Sequence, residues 1–303
     1  MMRMEDSRPR FSQRHPLMFG VLMITMAVIL FLGVTAFVRA MGWTSGNFAL
    51  GKDSLGVVHI EGMIMDSTDV VDWINTLRRD EDVKGVLLRV NSPGGAIAPS
   101  QEIYEAVKML AAEKPVVASY ATVAASGGYY ASVPSQIIVA NPGSITASIG
   151  VMAEFITVTE ALSKLGIKPE VLTTGKYKAA GTPIRELTDE QRAQLLGMML
   201  DMHDQFVSDV AEARGMDRAR IEEVADGRAV TGRQALALGL VDLLGSKQVA
   251  FDKLKTMCGI EGTAILVEGP IHEKTFMEEV LGSIQIDISG LTNSVGNWSF
   301  SYK

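Results

Sequence analysis

Cysteine is nearly missing from this chain: Cys258 stands alone among 303 residues. A single thiol excludes an intrachain disulfide, and it excludes a cysteine-rich metal site. Histidine is scarce as well. His15, His59, His203 and His272 are too scattered to ligate one ion, and no His-Glu-x-x-His occurs, so no metal and no cofactor is expected. Residues 127–202 contain no histidine at all, so a serine ahead of that stretch lacks the base of a Ser-His-Asp triad. Positive charge is in deficit, with 28 Lys and Arg against 35 Asp and Glu. Internal repeats and low-complexity tracts are absent. Such a chain must fold on its apolar core, and its length allows one large domain or two small ones.

Long apolar runs are also rare, with one exception. Leu17–Val38 holds 22 residues without a charge, enough to cross a bilayer core of about 20 residues. Arg3, Arg8, Arg10 and Arg14 precede it against Glu5 and Asp6, and Arg39 follows alone. The positive-inside tendency then keeps the N-terminus cytoplasmic and sends the rest across. Val38-Arg39-Ala40 has the small-x-small look of a signal cleavage site, but the run exceeds the usual h-region of about 7–15 residues. We therefore expect a basic tail over 1–16, an uncleaved transmembrane anchor over 17–38 and a Gly/Ser/Thr-rich linker over 39–54. The net charge is −7 overall and +2 before residue 39, which leaves −9 for the remainder. An acidic outer domain argues against nucleic acid and anionic lipid surfaces as partners.

From residue 55 onward, β and α patterns alternate. Leu55–Met65, Val83–Val90, Val116–Tyr120, Gln136–Ala140 and Val151–Thr157 read as strands. Asp69–Arg79, Pro99–Glu113 and Thr159–Leu165 read as helices. The alternation implies an α/β domain with its sheet covered by helices. Thr188-Asp-Glu-Gln191 has capping-box spacing and opens a helix to about Arg214. Along it Leu195, Met199, Met202, Phe206 and Val210 share one face, a packing stripe. Shorter helices are expected over Asp217–Ala225 and Arg233–Leu238. The pattern weakens after Gly262, so the domain is expected over 55–262 with a partly flexible extension over 263–303.

Two segments carry reactive side chains in small-residue settings. Ser126 lies between Ala124-Ala125 and Gly127-Gly128, ahead of a short helix over Tyr129–Val133. There the Gly127 N–H can stabilise negative charge. The equally simple alternative is a serine N-cap with glycines for tight packing. Asn91-Ser-Pro-Gly-Gly95 follows a strand, and its glycines can turn N–H groups outward for an oxyanion, or merely turn the chain. With no histidine near, a lysine is the base that could serve Ser126. Lys176 and Lys178 in Gly175-Lys-Tyr-Lys178 share a face. Such a lysine works only when neutral, which requires burial. Ala179-Ala180-Gly181 favours Lys178, although nothing local excludes Lys176. Ser144, Thr146 or Ser148 can orient a lysine amine, or satisfy nearby backbone.

Taken together, Asn91-Ser-Pro-Gly-Gly95, Ala124-Ala-Ser-Gly-Gly-Tyr-Tyr130, Thr146-Ala-Ser-Ile-Gly-Val151, Gly175-Lys-Tyr-Lys178 and Thr231-Gly-Arg-Gln…Gly-Leu-Val-Asp242 resemble the S49 membrane-anchored Ser-Lys peptidases in their single-domain bacterial form. The resemblance covers about Leu55–Lys255. It implies Ser126 as nucleophile, Lys178 as general base and Ser148 as the residue orienting the lysine. It further implies an oxyanion hole from Gly127 with Gly94 or Gly95, and a ClpP/crotonase-type fold of ββα units. A homo-oligomeric ring in the bacterial cytoplasmic membrane, with the catalytic domain outside, is the implied setting. Released signal peptides and other apolar peptides are the implied substrates. The alternatives are a catalytically inactive peptide-binding scaffold and a crotonase-like acyl-CoA enzyme, which needs no serine nucleophile.

Overall fold

A computed structural model describes residues 16–40, 53–270 and 301–302. The expected basic tail, most of the linker, His15, His272 and most of the C-terminal extension lie outside the described residues. The chain divides into two units, Met1–Leu50 and Gly51–Lys303.

In the first unit, helix α1 spans Pro16–Ala40. Its described side chains cover 18–34 except 21, and those from Leu22 to Val34 are exposed. No helix among the described residues is long and apolar enough to count as a membrane span.

The second unit is built on a sheet in the order β6-β5-β3-β2-β1-β8. Its strands are β1 (Ser54–Ile64), β2 (Val83–Ala96), β3 (Val116–Ala125), β4 (Ile137–Ala140), β5 (Ile145–Ala147), β6 (Ala229–Thr231), β7 (Leu243–Leu244), β8 (Ile265–Gly269) and β9 (Ser301–Tyr302). Pairing is parallel except where β6 meets β5 and β9 meets β2. Parallel neighbours need crossovers, and α2 (Thr68–Arg79) and α3 (Ile97–Glu113) supply them. Because helices cover both faces, Val86, Leu87, Leu88 and Val90 are all fully buried in one short run. On one face Val58, Leu88 and Ala118 pack in a core with Ile74 of α2 and Val107 of α3. On the other, Leu55, Leu87 and Val117 pack with Ala250 and Leu254 of α9 (Lys247–Met257).

The remaining helices are α4 (Gly127–Ser132), α5 (Thr159–Lys164), α6 (Asp189–Arg214), α7 (Arg218–Glu222) and α8 (Gly232–Leu238). Helix α6 opens on the expected capping box, with both reciprocal bonds between Thr188 and Gln191 formed. It ends at Gly215, whose φ of 59° suits a residue without Cβ. The expected apolar stripe is buried at Leu195, Phe206 and Val210, whereas Met199 and Met202 are half-buried.

Three differences matter for the site. Asn91-Ser-Pro-Gly-Gly95 is not a turn: β2 runs extended through it, and Met63 and Ile64 of β1 pair with Gly94 and Gly95. Register shifts on both edges around residues 91–93 leave room there for Pro93, which has no N–H to give a ladder. Residues 151–157 form no strand beyond an isolated bridge at Met152. Strand β5 already has β3 on one side and β6 on the other, so the β-branched residues after it find no edge. Finally, β8 carries the sheet past residue 262, pairing with Ser54–Val58 of β1.

Candidate active site

Among the described residues, three that are not glycine have positive φ: Ser126 (53°), Ala147 (60°) and Ser148 (53°). They are joined, since the Ser126 N–H donates to the Ala147 carbonyl at 2.7 Å. Each such conformation costs about 1–3 kcal/mol and persists only where surrounding structure imposes it. Ser126 sits where β3 stops and α4 starts, with ψ −119°. A sharp strand-to-helix turn of this kind is how a nucleophilic hydroxyl is thrust out of the backbone run. The residue is fully buried, and its Oγ has no hydrogen-bond partner. A buried hydroxyl left unpaired costs about 1–3 kcal/mol. Strain and an orphaned oxygen at one atom mark a group held ready for something else.

The glycines around it are demanded by contact. A Cβ on Gly127 would stand 2.5 Å from Ser100 Oγ and 3.2 Å from both Gly94 Cα and the Gly95 nitrogen. One on Gly128 would stand 2.7 Å from the Ser92 carbonyl oxygen. Helix α4 can therefore lie against the end of β2 only without side chains at its first two positions. This brings Ser126, Gly127, Gly94 and Gly95 together. Gly94, with φ 105°, donates its N–H to the buried Ser92 Oγ at 3.1 Å. Of the two glycines, the Gly94 donor is already engaged. Tyr129 and Tyr130 fix the far side of α4, through the Leu240 carbonyl and the Asp209 carboxylate respectively. Neither tyrosine was singled out as an anchor from sequence. Their burial beside a glycine pair was the signal.

Of the three hydroxyls expected near a lysine, two serve β3. Thr146 Oγ1 donates to the Ala124 carbonyl at 2.7 Å, and Ser144 Oγ donates to the Ala121 carbonyl. Ser148 Oγ donates to the Gly227 carbonyl at 3.2 Å, and its N–H to the Arg228 carbonyl at 3.0 Å. The loop that receives them is tied by Asp226, whose carboxylate takes the Arg228 backbone N–H at 3.1 Å as well as its guanidinium. Hydrogen bonds from the Arg228 side chain, then its backbone, hold the Asp226 carboxyl down at about 2.

Lys178 is placed differently. It is exposed, on a string of turns in which its N–H donates to the Gly175 carbonyl at 3.1 Å. Its amine makes no hydrogen bond to Ser126 Oγ, which has none. Lys178 lines a cavity of about 530 Å³ with Tyr177, Ala180, Leu195 and Met198. Lys176 is exposed too, pairs with Glu190 at 3.3 Å and lies 4.8 Å from the centre of the Tyr177 ring. Hydrogen bonds to Tyr177 and Glu190 raise its pKa, which is the wrong direction for a neutral amine. The single chain thus brings Ser126, Gly127, Gly94 and Gly95 together but leaves Lys176 and Lys178 in solvent.

One edge beside the serine is taken by the chain itself. Ile64 of β1 flanks Gly95 on one side, and Tyr302 of β9 pairs with Gly95 on the other. That second edge is the one β3 leaves free after Ala124, opposite Ser92. Ser301 and Tyr302 run antiparallel to β2 there, opposite Ala96 and Gly95.

The chain is similar to known proteins. The family model described as peptidase family S49 matches residues 108–261, and that of Clp protease matches residues 57–154. A putative protease of Synechocystis sp. is 36% identical over 80% of this chain and 90% of its own length. A putative signal peptide peptidase SppA of Enterococcus faecium is 38% identical over 74% of this chain and 62% of its own. Protease 4 of Salmonella typhi is 34% identical over 63% of this chain, which spans 32% of that longer protein. A solved ClpP1 variant from Listeria monocytogenes aligns at TM-score 0.43 with 16% identity, over 66% of this chain and 94% of its own. By the S49 match and these identities, the chain belongs to peptidase family S49 and is a serine-type hydrolase.

Proposed function

We propose that this protein is a membrane-anchored endopeptidase that cleaves apolar peptides, released signal peptides among them, with Ser126 as nucleophile and Lys178 as general base. The observation that carries the reading is the orphaned, buried Ser126 Oγ on its strained turn. In the reaction, neutral Lys178 takes the Ser126 proton as Oγ attacks the peptide carbonyl carbon. The oxyanion is held by the N–H groups of Gly127 and Gly95, Gly94 being committed to Ser92. Each such donor is worth about 3 kcal/mol. The lysine ammonium protonates the departing amine, leaving an acyl-enzyme. Water then gives a proton to the same lysine, attacks the ester and releases the acid. Ser148 orients the amine.

The substrate lies as an added strand on the edge of β2 that Ser301–Tyr302 occupies here, in place of those residues. Walls of Ala124, Ala125, Gly127 and Ala147 favour small apolar side chains near the scissile bond. Covering a lysine favours its neutral form. In the same stretch of chain, Leu165 (73% exposed), Leu172 (88%) and Leu200 (58%) present apolar surface, which a second copy buries together with Lys178 in a homo-oligomeric ring. The 22-residue uncharged run anchors the N-terminus in the bacterial cytoplasmic membrane, with the catalytic unit outside.

The test is an apolar fluorogenic peptide assay on the full chain in detergent, with fluorophosphonate labelling located by mass spectrometry. Wild type is expected to be active and labelled at Ser126. Ser126→Ala and Lys178→Ala are expected to be folded and inactive, each losing at least about a thousandfold in kcat. Full activity in Lys178→Ala would remove the lysine from the mechanism. An unlabelled, inactive wild type would leave a peptide-binding scaffold.

A further inference from the structure

Gln191 is the only side-chain amide among the buried polar residues of the described chain, 6% exposed. Its Oε1 accepts the Thr188 N–H at 3.2 Å, while its own N–H donates to Thr188 Oγ1 at 3.2 Å. That is a complete capping box, and it uses only the carbonyl end of the amide. A glutamate would do the same and suit a helix N-terminus better. The amide nitrogen does something else: Nε2 donates to the Lys176 carbonyl at 2.8 Å, fifteen residues back. The tie fastens the start of the turn string that carries Lys178, whose N–H returns to the Gly175 carbonyl.

The same chain contains a comparison. Thr231 and Gln234 form the other capping box, at the start of α8. There Gln234 is exposed, and its Oε1 takes the Thr231 N–H at 2.9 Å. Two boxes of the same residue types differ in one respect: the buried one also reaches across to the lysine loop.

From this we infer that Gln191 is a positioning residue for the base, its amide N–H holding the Gly175–Lys178 loop against the first turn of α6. The inference rests on reading Lys178 as the base. Without the tie the loop keeps its own turn bonds and the solvated Lys176–Glu190 pair, and an exposed ion pair adds little. A displacement of about 1 Å at a reacting group costs up to about a hundredfold in rate. The effect falls on the chemical step, because Gln191 bonds from α6 to the lysine loop rather than to the β2 edge where the peptide binds.

The experiment compares Gln191→Glu and Gln234→Glu in the full-length protein, with Gln191→Met as a second variant that introduces no charge beside Lys176, Tyr177 and Glu190. Active sites are counted by fluorophosphonate labelling, so a smaller folded fraction does not lower the reported kcat. Both Gln191 variants are expected to lose about ten- to a hundredfold in kcat with KM within about twofold. The ascending limb of their kcat against pH should move to higher pH than in wild type. Gln234→Glu is expected to match wild type in all three. The inference is overturned if Lys178→Ala is inactive while both Gln191 variants keep wild-type kcat and pH profile. It also fails if KM rises and kcat does not. Should Lys178→Ala keep its activity, the fault lies with the base assignment itself.

Discussion

The Ser126 side and the Lys178 side of the site, the proposed nucleophile and base, are built by opposite means. Around Ser126 every neighbour is buried: Ser92, Ser100, Gly127, Gly128, Ala147 and Thr146 are all below the surface, and backbone strain is imposed by the core. Residues 151–187 make one helix, α5, and otherwise turns and irregular chain with many exposed side chains. A fold can hold a serine at positive φ only by surrounding it. It cannot keep a lysine neutral without covering it, and this chain leaves that cover to be supplied. The nucleophile half should therefore couple activity to stability, and the base half should not.

The sharpest probe replaces Ser126 by glycine. Activity should fall by at least about a thousandfold. Stability should rise, by about 1 kcal/mol, because glycine accepts φ 53° without strain. Denaturant unfolding and the peptide assay read both. A loss of stability would mean that the turn at Ser126 is not strained.

Gly127→Ala should break the other way. The added methyl would meet Ser100 Oγ at 2.5 Å and crowd the Gly95 nitrogen. Helix α4 then has to shift, costing about 1–3 kcal/mol of stability. Misplacing its N–H costs about a hundred- to a thousandfold in kcat. Lys178→Ala gives the contrast: inactive, yet unchanged in stability to within about 0.5 kcal/mol, as for an exposed residue. A similar stability loss in both would erase the distinction between the two halves.

Leu172→Asp tests where the cover comes from. At 88% exposure the side chain contributes nothing to the single chain, so the melting temperature of a dissociated sample should not move. If a second copy covers it, light scattering should show a smaller particle, and kcat should fall about tenfold with it. An unchanged particle size with unchanged kcat would put the cover elsewhere.

How much of this was legible beforehand follows the same division. The glycine pair after Ser126, the capping box at Thr188 and the packing end of α6 were readable because each depends on neighbours within one or two turns of chain. The extension of β2 through Pro93 was not. It depends on Met63 and Ile64, thirty residues upstream, and on register shifts that no local pattern displays. Val151–Thr157 has strand composition but no edge to join, and composition says nothing about edges. The positive φ of Ala147 left no trace in an alanine. The Gln191 tie was half visible: its capping role could be read, its reach to the Lys176 carbonyl could not. Two glycines equivalent in sequence, Gly94 and Gly95, are told apart by the Ser92 hydroxyl that takes the Gly94 N–H, by the φ of 105° at Gly94 and by the β9 pairing at Gly95.

The smallest expected effect lies at the seam between the halves. Asp226 and Arg228 are exposed, and their mutual bonds shape the loop whose carbonyls receive Ser148. The Asp226 carboxyl is held down at about 2, against about 3.9 in an unfolded chain. A depressed carboxylate contributes above its unfolded value, and its contribution is lost as pH falls through the folded value. The tie is thus intact across the neutral and alkaline range where a lysine base works, and it loosens only below about pH 4. Asp226→Asn should leave the melting temperature at pH 8 unchanged, since a solvated pair adds little. It should lower kcat about two- to fivefold by relaxing Ser148, with no new pH dependence between about pH 6 and 9. A large loss of stability would show that this loop belongs to the core half of the molecule. An unaltered kcat would detach Ser148 from the lysine it is proposed to orient.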